Sequence, residues 1–512
     1  MRIVPFLALG LALLLGACGR DPAAEQNDLP TFRILAGSEL KDMEPLLKEF
    51  GQANQVNIKL EYSGTLDAVD TLQGGTNHDA AWVSHGKYLQ LVPAVKQQIV
   101  QSEKTMYSRV VLGLKPEAAT RLGWSSGQVG WREVIAASEA GKFRFAMTNP
   151  TGSNTGFVAL VGLAAELSGK GDALRVEDVP TRKLTALFKG QSLSSGSSGD
   201  LADRWLASPE LADGMVNYES VIRGMAARGL PLTVIVPREG VITADYPLIL
   251  LKKSQQAPLY QKLVAWLRQP DTQKRIAEQT RRAPLAGSDD DQVVNELPFP
   301  ASQAVVDAIL RGFLDEYAKP ISTYLIYDHS GSMRGDRIQA ARQAIIALTG
   351  SDGTASGRFA TLRAREKLTL APFSSGPDPL QEFVLGEDSK ANAQLLQQVA
   401  AAVGQIDADG GTAIYDTLAG IYPQALAEKK QERRNVAIIL LTDGKNTEGR
   451  DFEDFAGQVQ VSSNTRVPIF PIIFGDADAA EMQQLAKMTG GQTFDARTTP
   501  LVQVLKKIRT YQ

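Results

Sequence analysis

The chain has 512 residues, of which 43% are hydrophobic and 22% are charged. These values are those of an ordinary globular protein and exclude a disordered, collagen-like or many-span membrane protein. The formal net charge is −3, from 54 basic and 57 acidic residues, so no overall charge excess favours nucleic acid. A single cysteine excludes an internal disulfide and a cysteine-based zinc site. The length predicts about three folding units of about 150 residues each.

A short apolar segment, residues 3–17, precedes the single cysteine, Cys18. A basic residue, a short apolar run and small residues before a cleavage site are typical of a secretory signal peptide. The run is shorter than the about 20 residues that a membrane-spanning helix needs. The segment Leu15-Gly16-Ala17-Cys18 resembles the lipobox of bacterial lipoproteins. The resemblance implies removal of residues 1–17 and acylation of Cys18. An ordinary signal peptide followed by an incidental cysteine is the alternative.

The residue after Cys18 bears on the location of the protein. In lipoproteins of Gram-negative bacteria an aspartate at this position often implies retention in the inner membrane, and this chain has Gly19. The resemblance therefore implies a lipid anchor in the outer membrane, with the protein facing the periplasm. Residues 18–30 include a polar stretch without apolar periodicity, which predicts a flexible tether between the anchor and the first domain.

Strand-like runs alternate with helical patterns from residue 31 to about residue 300. Small hydroxyl residues follow several of these runs, directly before a helical pattern: Ser38 after 32–35, Thr65 after 56–62, Ser84 after 79–83 and Ser153 after 143–147. Open α/β sheets bind ligands at the carboxyl ends of their strands, where helix N-termini present free N–H groups. Serine and threonine at such positions also cap helices and turns, so each residue has a purely structural alternative.

In their order and spacing, these segments resemble the type II periplasmic solute-binding proteins, in particular the molybdate- and sulfate-binding branch. The resemblance covers about residues 31–290 and implies two lobes that close over a ligand. The implied ligand contacts are Ser38, Thr65 and Ser84 in the first lobe and Ser153 and Tyr218 in the second. An oxyanion held by hydroxyl and N–H groups fits this pattern, and so does a small organic solute.

The segment 323–327 is an apolar strand without alternation, which predicts the middle of a sheet buried on both faces. A helical stretch before it, within 301–319, predicts a linker. The strand leads directly into Asp328-His329-Ser330-Gly331-Ser332. Further along, Thr412 begins a helical pattern, and a second buried strand, 436–441, ends just before Asp443. Taken alone, Thr412 fits a helix N-cap and Asp443 fits a turn.

Together these segments resemble the von Willebrand factor A domain and its metal-ion-dependent adhesion site, over about residues 320–512. The resemblance implies a Rossmann-like fold and a site for Mg²⁺ or another divalent cation, held by Asp328, Ser330, Ser332, Thr412 and Asp443. Mg²⁺ is a hard ion that prefers oxygen ligands, which these side chains supply. The resemblance also implies that a partner protein offers a carboxylate to the open metal position. His329 occupies a variable position and is not expected to be a ligand.

The sequence thus predicts an α/β protein with a signal peptide (1–17), a lipidated cysteine and tether (18–30), a two-lobed solute-binding domain (31–300), a linker helix (301–319) and an A domain (320–512). The predicted function is that of a non-enzymatic periplasmic lipoprotein that captures a solute and engages a protein partner through Mg²⁺. One alternative is the solute receptor of an ABC uptake system, which residence in the inner membrane would favour. A second alternative is an enzyme or an enzyme-assembly subunit, although no metalloprotease, hydrolase or dinucleotide fingerprint occurs.

Overall fold

The computed structural model describes residues 29–285, 295–350, 354–460 and 466–512. The predicted signal peptide, Cys18 and most of the predicted tether lie outside the described residues. Three β-sheets organise the described part, each covered by helices, so the α/β class predicted from the sequence is confirmed. Among the described residues, no helix is both long and apolar enough to cross a membrane.

The strands are β1 (Thr31–Ala36), β2 (Asn57–Tyr62), β3 (Ala80–Trp82), β4 (Ile99–Lys104), β5 (Ser108–Leu114), β6 (Phe145–Met147), β7 (Gln191–Leu193), β8 (Gly214–Tyr218), β9 (Thr233–Ile235), β10 (Ile242–Ala244), β11 (Pro247–Leu251), β12 (Ile321–Asp328), β13 (Lys367–Phe373), β14 (Gln381–Val384), β15 (Asn435–Thr442), β16 (Ile469–Ile473) and β17 (Phe494–Asp495).

The α-helices are α1 (Glu44–Asn54), α2 (Thr65–Gln73), α3 (Lys87–Leu91), α4 (Pro93–Lys96), α5 (Pro116–Leu122), α6 (Trp131–Glu139), α7 (Asn154–Ser168), α8 (Thr181–Phe188), α9 (Ser198–Ala207), α10 (Glu219–Met225), α11 (Ala257–Leu267), α12 (Pro270–Thr280), α13 (Gln303–Gly312), α14 (Asp336–Ala347), α15 (Gly357–Ala360), α16 (Ser389–Gly404), α17 (Ile414–Lys430), α18 (Phe452–Gln460), α19 (Ala479–Thr489) and α20 (Leu501–Arg509).

The first two sheets form two lobes. Lobe 1 is built on the order β2-β1-β3-β11-β4, and lobe 2 on the order β10-β5-β8-β6-β7 with β9 beside β5. The chain passes from one sheet to the other between β4 and β5 and returns between β10 and β11. These crossings make the junction between the lobes, and the carboxyl ends of β3 and β8 lie near it.

The third sheet belongs to the C-terminal domain and has the order β14-β13-β12-β15-β16-β17. Every neighbouring pair in it is parallel except β13 with β14. Strands β12 and β15 are apolar along their length because helices cover both faces of the sheet. We call the edge where the parallel strands begin the starting edge and the edge where they end the metal edge.

The predicted linker is the helix α13 followed by a π-helical turn, Phe313–Tyr317. Its apolar side chains pack into the core shared by the two lobes. The buried carboxylate of Asp307 on this helix accepts hydrogen bonds from the Tyr88 hydroxyl at 2.9 Å and from Arg358 Nη1 at 3.0 Å. Because Tyr88 lies in lobe 1 and Arg358 in the C-terminal domain, the helix joins the two.

Two local sequence patterns differ from the structure. Ser38 precedes a helical pattern, as an N-cap residue would, but it is the first residue of the 3-10 helix Ser38–Met43, whose N-terminal flanking residue is Gly37. The Ser- and Gly-rich segment 192–199 has the composition of a mobile loop, but it contains the end of β7 and the start of α9. There Ser197 caps the helix by accepting the N–H of Asp200 at 3.3 Å, because serine is a good N-cap residue.

Candidate functional site

The metal edge gathers the residues that the sequence predicts for a cation. Strands β12 and β15 are parallel neighbours, with Tyr327 opposite Leu441, so Asp328 and Asp443 arrive side by side. The Ser332 hydroxyl donates to Asp443 Oδ1 at 2.7 Å and lies 3.0 Å from Ser330 Oγ. Four of the five predicted residues are thus joined through these strand ends and the turn that follows β12.

Thr412 reaches the same place from the loop before α17. A Cβ built on Gly444 would lie 3.4 Å from Ser332 Oγ and 3.7 Å from Thr412 Oγ1, so both hydroxyls face the turn after β15. The loop is held by hydrogen bonds to Thr447, whose hydroxyl accepts the N–H of Thr412 at 2.9 Å and whose own N–H donates to the Thr412 carbonyl at 2.8 Å. The structure therefore brings all five predicted residues together.

The carboxylate of Asp328 is enclosed by neighbouring hydrogen-bond donors. Asp328 is fully buried; Oδ1 accepts the N–H of Ser330 at 2.8 Å and Oδ2 accepts the Thr442 hydroxyl at 2.6 Å. Burial raises the pKa of Asp328, and the negative charge of Asp443 raises it further. A cation between the two carboxylates would relieve this repulsion.

Arg337 is a residue that the sequence analysis did not identify. Its Nη1 donates to Asp443 Oδ2 at 2.6 Å, and its Nη2 donates to Asp476 at 3.0 Å. These contacts raise the pKa of Arg337 and place a fixed positive charge on a predicted metal ligand. Arg337 lies in the first turn of α14, and helical spacing alone does not distinguish it from a solvated surface arginine.

His329 is engaged away from the predicted cation. Its Nδ1 lies 2.9 Å from the Asp407 carbonyl and its Nε2 lies 2.7 Å from Asp378 Oδ2. Both ring nitrogens therefore have partners in loops beside the site.

The donor set fits a hard divalent cation, since it consists of two carboxylates and three hydroxyls and Mg²⁺ prefers oxygen. Within the described ranges, no three His, Cys, Asp or Glu side chains lie close enough together to hold a metal. A cation here would accordingly depend on the hydroxyls of Ser330, Ser332 and Thr412. With few anionic oxygens around it, such a cation, when bound, supplies an electrophilic centre for a carboxylate.

A second group of predicted residues lies between the lobes, which touch across the cleft. The Thr65 hydroxyl of lobe 1 donates to Asn154 Oδ1 of lobe 2 at 2.5 Å, and Asn154 Nδ2 lies 3.5 Å from Glu39 Oε1. A Cβ on Gly64 would lie only 2.6 Å from the Gly152 carbonyl oxygen. The lobes are therefore closed on each other at this point.

Four buried hydroxyls meet behind this contact: Ser84 from lobe 1, Thr155 and Tyr218 from lobe 2, and Tyr246 from the junction between them. None makes a hydrogen bond of good geometry within the described part of the chain, although the Tyr218 hydroxyl faces those of Ser84 and Thr155 and the Tyr246 hydroxyl faces Arg282. The Ser84 and Thr155 hydroxyls approach that of Tyr218, and the Tyr218 and Tyr246 ring centres are 6.1 Å apart. Because buried hydroxyls are usually hydrogen-bonded, this cluster is the candidate ligand site.

Charged groups flank the four hydroxyls. Arg282 lies 4.9 Å from the Tyr246 ring centre and donates from Nη1 to both oxygens of Asp42 at 2.8 Å. Its buried Nε has no partner among the described residues. Burial raises the pKa of Glu39, and Arg282 partly offsets the effect. Tyr246 has φ of +40°, unusual for a non-glycine residue, and its carbonyl accepts Trp82 Nε1 at 3.0 Å and the Thr105 hydroxyl at 2.7 Å.

The five residues predicted for the solute are placed unequally. Ser84 and Tyr218 belong to the hydroxyl cluster, and Thr65 lies at the lobe contact. Ser153 is buried as the residue before α7 and makes no side-chain cap, whereas Ser38 is exposed beside Glu39. Sequence reasoning missed Glu39, Thr155, Tyr246 and Arg282 as site residues. Thr155 lies in the Gly-, Ser- and Thr-rich turn 148–156 and Tyr246 directly precedes the apolar run 247–251, and these positions were the available signals.

Comparison with known proteins agrees with the two-part architecture. Residues 32–279 match the family model for bacterial extracellular solute-binding proteins, and residues 324–507 match that for the von Willebrand factor type A domain.

Individual relatives are distant. Inter-alpha-trypsin inhibitor heavy chain H4 of Sus scrofa is 30% identical over 180 residues, covering 34% of this chain and 18% of that protein. An uncharacterized protein of Synechocystis sp. is 28% identical over 180 residues, covering 35% of this chain and 38% of that protein. The chain thus spans less than two fifths of the length of these curated relatives. The periplasmic binding protein AfuA from Actinobacillus pleuropneumoniae, a solved structure, has 14% identity and a TM-score of 0.44, covering 56% of this chain and 98% of that one.

The contact between Arg337 and Asp443 generates a prediction for metal binding. In the full chain, Arg337→Ala is expected to tighten Mg²⁺ binding about fivefold to tenfold, because it removes a cation that competes for the Asp443 carboxylate. This corresponds to about 1 kcal/mol, the size expected for a partly exposed ion pair. Isothermal titration calorimetry with MgCl₂ measures the change.

The matched control is Arg334→Ala, since Arg334 pairs with Asp409 at 2.5 Å and not with a predicted metal ligand. Its Mg²⁺ affinity should stay at the wild-type value. Equal affinity in the Arg337→Ala and wild-type proteins would show that Arg337 does not compete with the cation.

Proposed function

Because the chain joins a bacterial extracellular solute-binding domain to a von Willebrand factor type A domain, we propose that it is a non-enzymatic binding protein of the bacterial cell envelope. The first domain captures a small solute, and the second engages a protein partner through a divalent cation. Both domain types are binding modules. The extracellular family of the first supports a location outside the cytoplasm. Attachment to the outer membrane through a lipid on Cys18 is part of the proposal and depends on the sequence alone.

The four buried hydroxyls of Ser84, Thr155, Tyr218 and Tyr246 carry the solute-binding part of the proposal. Each can donate a hydrogen bond, and the Nε of Arg282 adds a cationic donor. A small solute rich in acceptor oxygens, such as an oxyanion, matches this set of donors. The closed lobes would shield such a solute from water, which strengthens each hydrogen bond to it.

Glu39 sets the pH range in which an oxyanion binds. In its ionised form it repels an anion, and in its protonated form it can donate a hydrogen bond. Since burial raises the pKa of Glu39, the protonated form persists to higher pH than for an exposed glutamate. Affinity for an oxyanion is then greatest below this raised pKa and falls as the pH rises through it.

The partner-binding part depends on the metal edge, where Ser332 is exposed while Asp328 and Asp443 are buried behind it. A cation held there is accessible from the side of Ser332. Its partner would offer a carboxylate, because a hard cation with few anionic ligands attracts an anionic oxygen.

For the solute, thermal unfolding of the full chain with sulfate, molybdate or phosphate provides the test. A true ligand at about 100 times its Kd should stabilise by about 2.7 kcal/mol. The stabilisation should decrease as the pH rises through the raised pKa of Glu39, and Glu39→Gln should flatten that decrease.

The control is Glu117→Gln on the exposed first turn of α5, which should retain the wild-type pH profile. Amino acids and sugars complete the screen. Stabilisation by a cationic solute that increases with pH would contradict the oxyanion class, and so would a Glu39→Gln profile identical to that of the wild type.

For the partner, immobilised full chain should retain an envelope protein in MgCl₂ and release it in EDTA. Ser332→Ala should abolish most of the retention, because it removes a hydroxyl ligand without opening the core. Ser389→Ala, at the exposed start of α16, is the matched control. Retention that survives both EDTA and Ser332→Ala would refute metal-dependent binding.

A further inference from the structure

The starting edge of the C-terminal sheet contacts both lobes of the solute-binding domain. Three segments lie at this edge: Ala355 and Ser356 before β13, Gly490 before β17, and Thr510 and Tyr511 after α20. The last of these segments is held there because Gln512 Nε2 donates to the Thr323 hydroxyl at the beginning of β12, at 2.9 Å. The metal edge is at the opposite ends of the same strands.

On lobe 1 the contact is made by helix α2. The carboxylate of Asp70 accepts the backbone N–H of Ala355 and, at 2.8 Å, that of Ser356. One turn earlier, Asp67 faces Ser356 and lies near Lys506 and Lys507 of α20. Lobe 1 therefore meets the starting edge through two carboxylates on one face of a helix.

On lobe 2 the contact is made by two glycine-containing loops. A Cβ on Gly152 would lie 2.4 Å from Thr510 Cγ2, and a Cβ on Gly196 would lie 2.5 Å from Thr510 Oγ1 and 2.7 Å from Tyr511 Cε2. Arg204 of α9 donates to the Gly490 carbonyl at 3.3 Å and lies 6.0 Å from the Tyr511 ring centre. The segment after α20 is thus packed directly against the lobe 2 backbone.

The loop that Thr510 contacts is the loop that closes the cleft. Gly152 lies against Gly64 of lobe 1, and Asn154, two residues later, accepts the Thr65 hydroxyl. Contacts to α2 and to this loop come from one edge of one sheet, so the lobes cannot separate at this point while both contacts persist. Opening the cleft would require one of them to break.

We propose that the starting edge of the C-terminal domain is an intramolecular clamp that holds the two lobes closed, so that solute entry requires its release from at least one lobe. The clamp acts on lobe movement and does not depend on which solute binds. Because the metal edge lies at the other ends of the strands, it stays available to a partner while the clamp is engaged.

Gly196→Ala tests the clamp in the full chain. The backbone of Gly196 does not have a positive φ, and the nearest atoms to the added methyl group all belong to Thr510 and Tyr511. The methyl therefore separates lobe 2 from the C-terminal domain without a clash inside the lobe. Hydrogen–deuterium exchange of segments 38–43 and 216–222, which carry Glu39 and Tyr218, should become about fivefold or more faster. Exchange in β12 and β15 should not change.

Gly199→Ala is the matched control, since its methyl would meet nothing within 4 Å. Asp70→Ala releases the clamp from lobe 1 instead and should accelerate the same two segments, with Asp271→Ala, exposed on α12, as its control. Wild-type exchange at both segments in the Gly196→Ala and Asp70→Ala proteins would overturn the proposal. That outcome would leave solute and metal binding intact, so it is distinguishable from failure of the proposed function.

Discussion

The common direction of the parallel strands in the C-terminal sheet is the constraint on which the rest of the structure depends. Because β12 and β15 run side by side in the same direction, Asp328 and Asp443 must emerge together at one edge. The same direction places the turns before the strands and the end of α20 at the other edge. There Arg509 and Glu366, an almost fully buried ion pair, hold the end of α20 in place. Breaking such a pair on one side leaves an uncompensated buried charge, so the geometry of this edge is firmly set.

The two lobes also depend on strand direction, in a different arrangement. The cleft residues come from the end of β3, the end of β8, the start of α7 and the crossing between β10 and β11. These positions are far apart in sequence and meet only because the chain crosses twice between the sheets. The site lies where the lobes must move relative to each other, and the strained φ of Tyr246 lies on one of the crossings.

Much of the fold and of the metal edge could be predicted from the sequence. The buried strands β12, β13 and β15 are apolar runs of the kind that central strands require, and all five metal-edge residues follow strand ends or begin helices in a recognisable order. Less of the solute site was predictable. Ser84 and Tyr218 were predicted and lie in the hydroxyl cluster, but Ser38 is exposed and does not cap a helix, because it is itself the first residue of the 3-10 helix before α1. Glu39 and Arg282 carry no motif, and only tertiary packing brings them together.

The contact between domains could not be predicted from the sequence for a physical reason. Gly152 and Gly196 matter because they lack a side chain where another domain approaches, whereas a glycine in a loop more often serves a tight turn. The strand β4, on one crossing between the lobes, was also missed, because it alternates partly buried with exposed residues and so lacks a buried apolar run. The next strand, β5, was missed although it is mostly buried and apolar.

The central claim is that the C-terminal domain presents its cation site on one edge and contacts the solute-binding domain with the other. The most direct test is hydrogen–deuterium exchange of the full chain with and without saturating Mg²⁺. The account predicts protection at 328–333, 410–413 and 442–447 and unchanged exchange at 355–358, 490–493 and 510–512. Protection that appears at the latter segments, or is absent from the former, would contradict it.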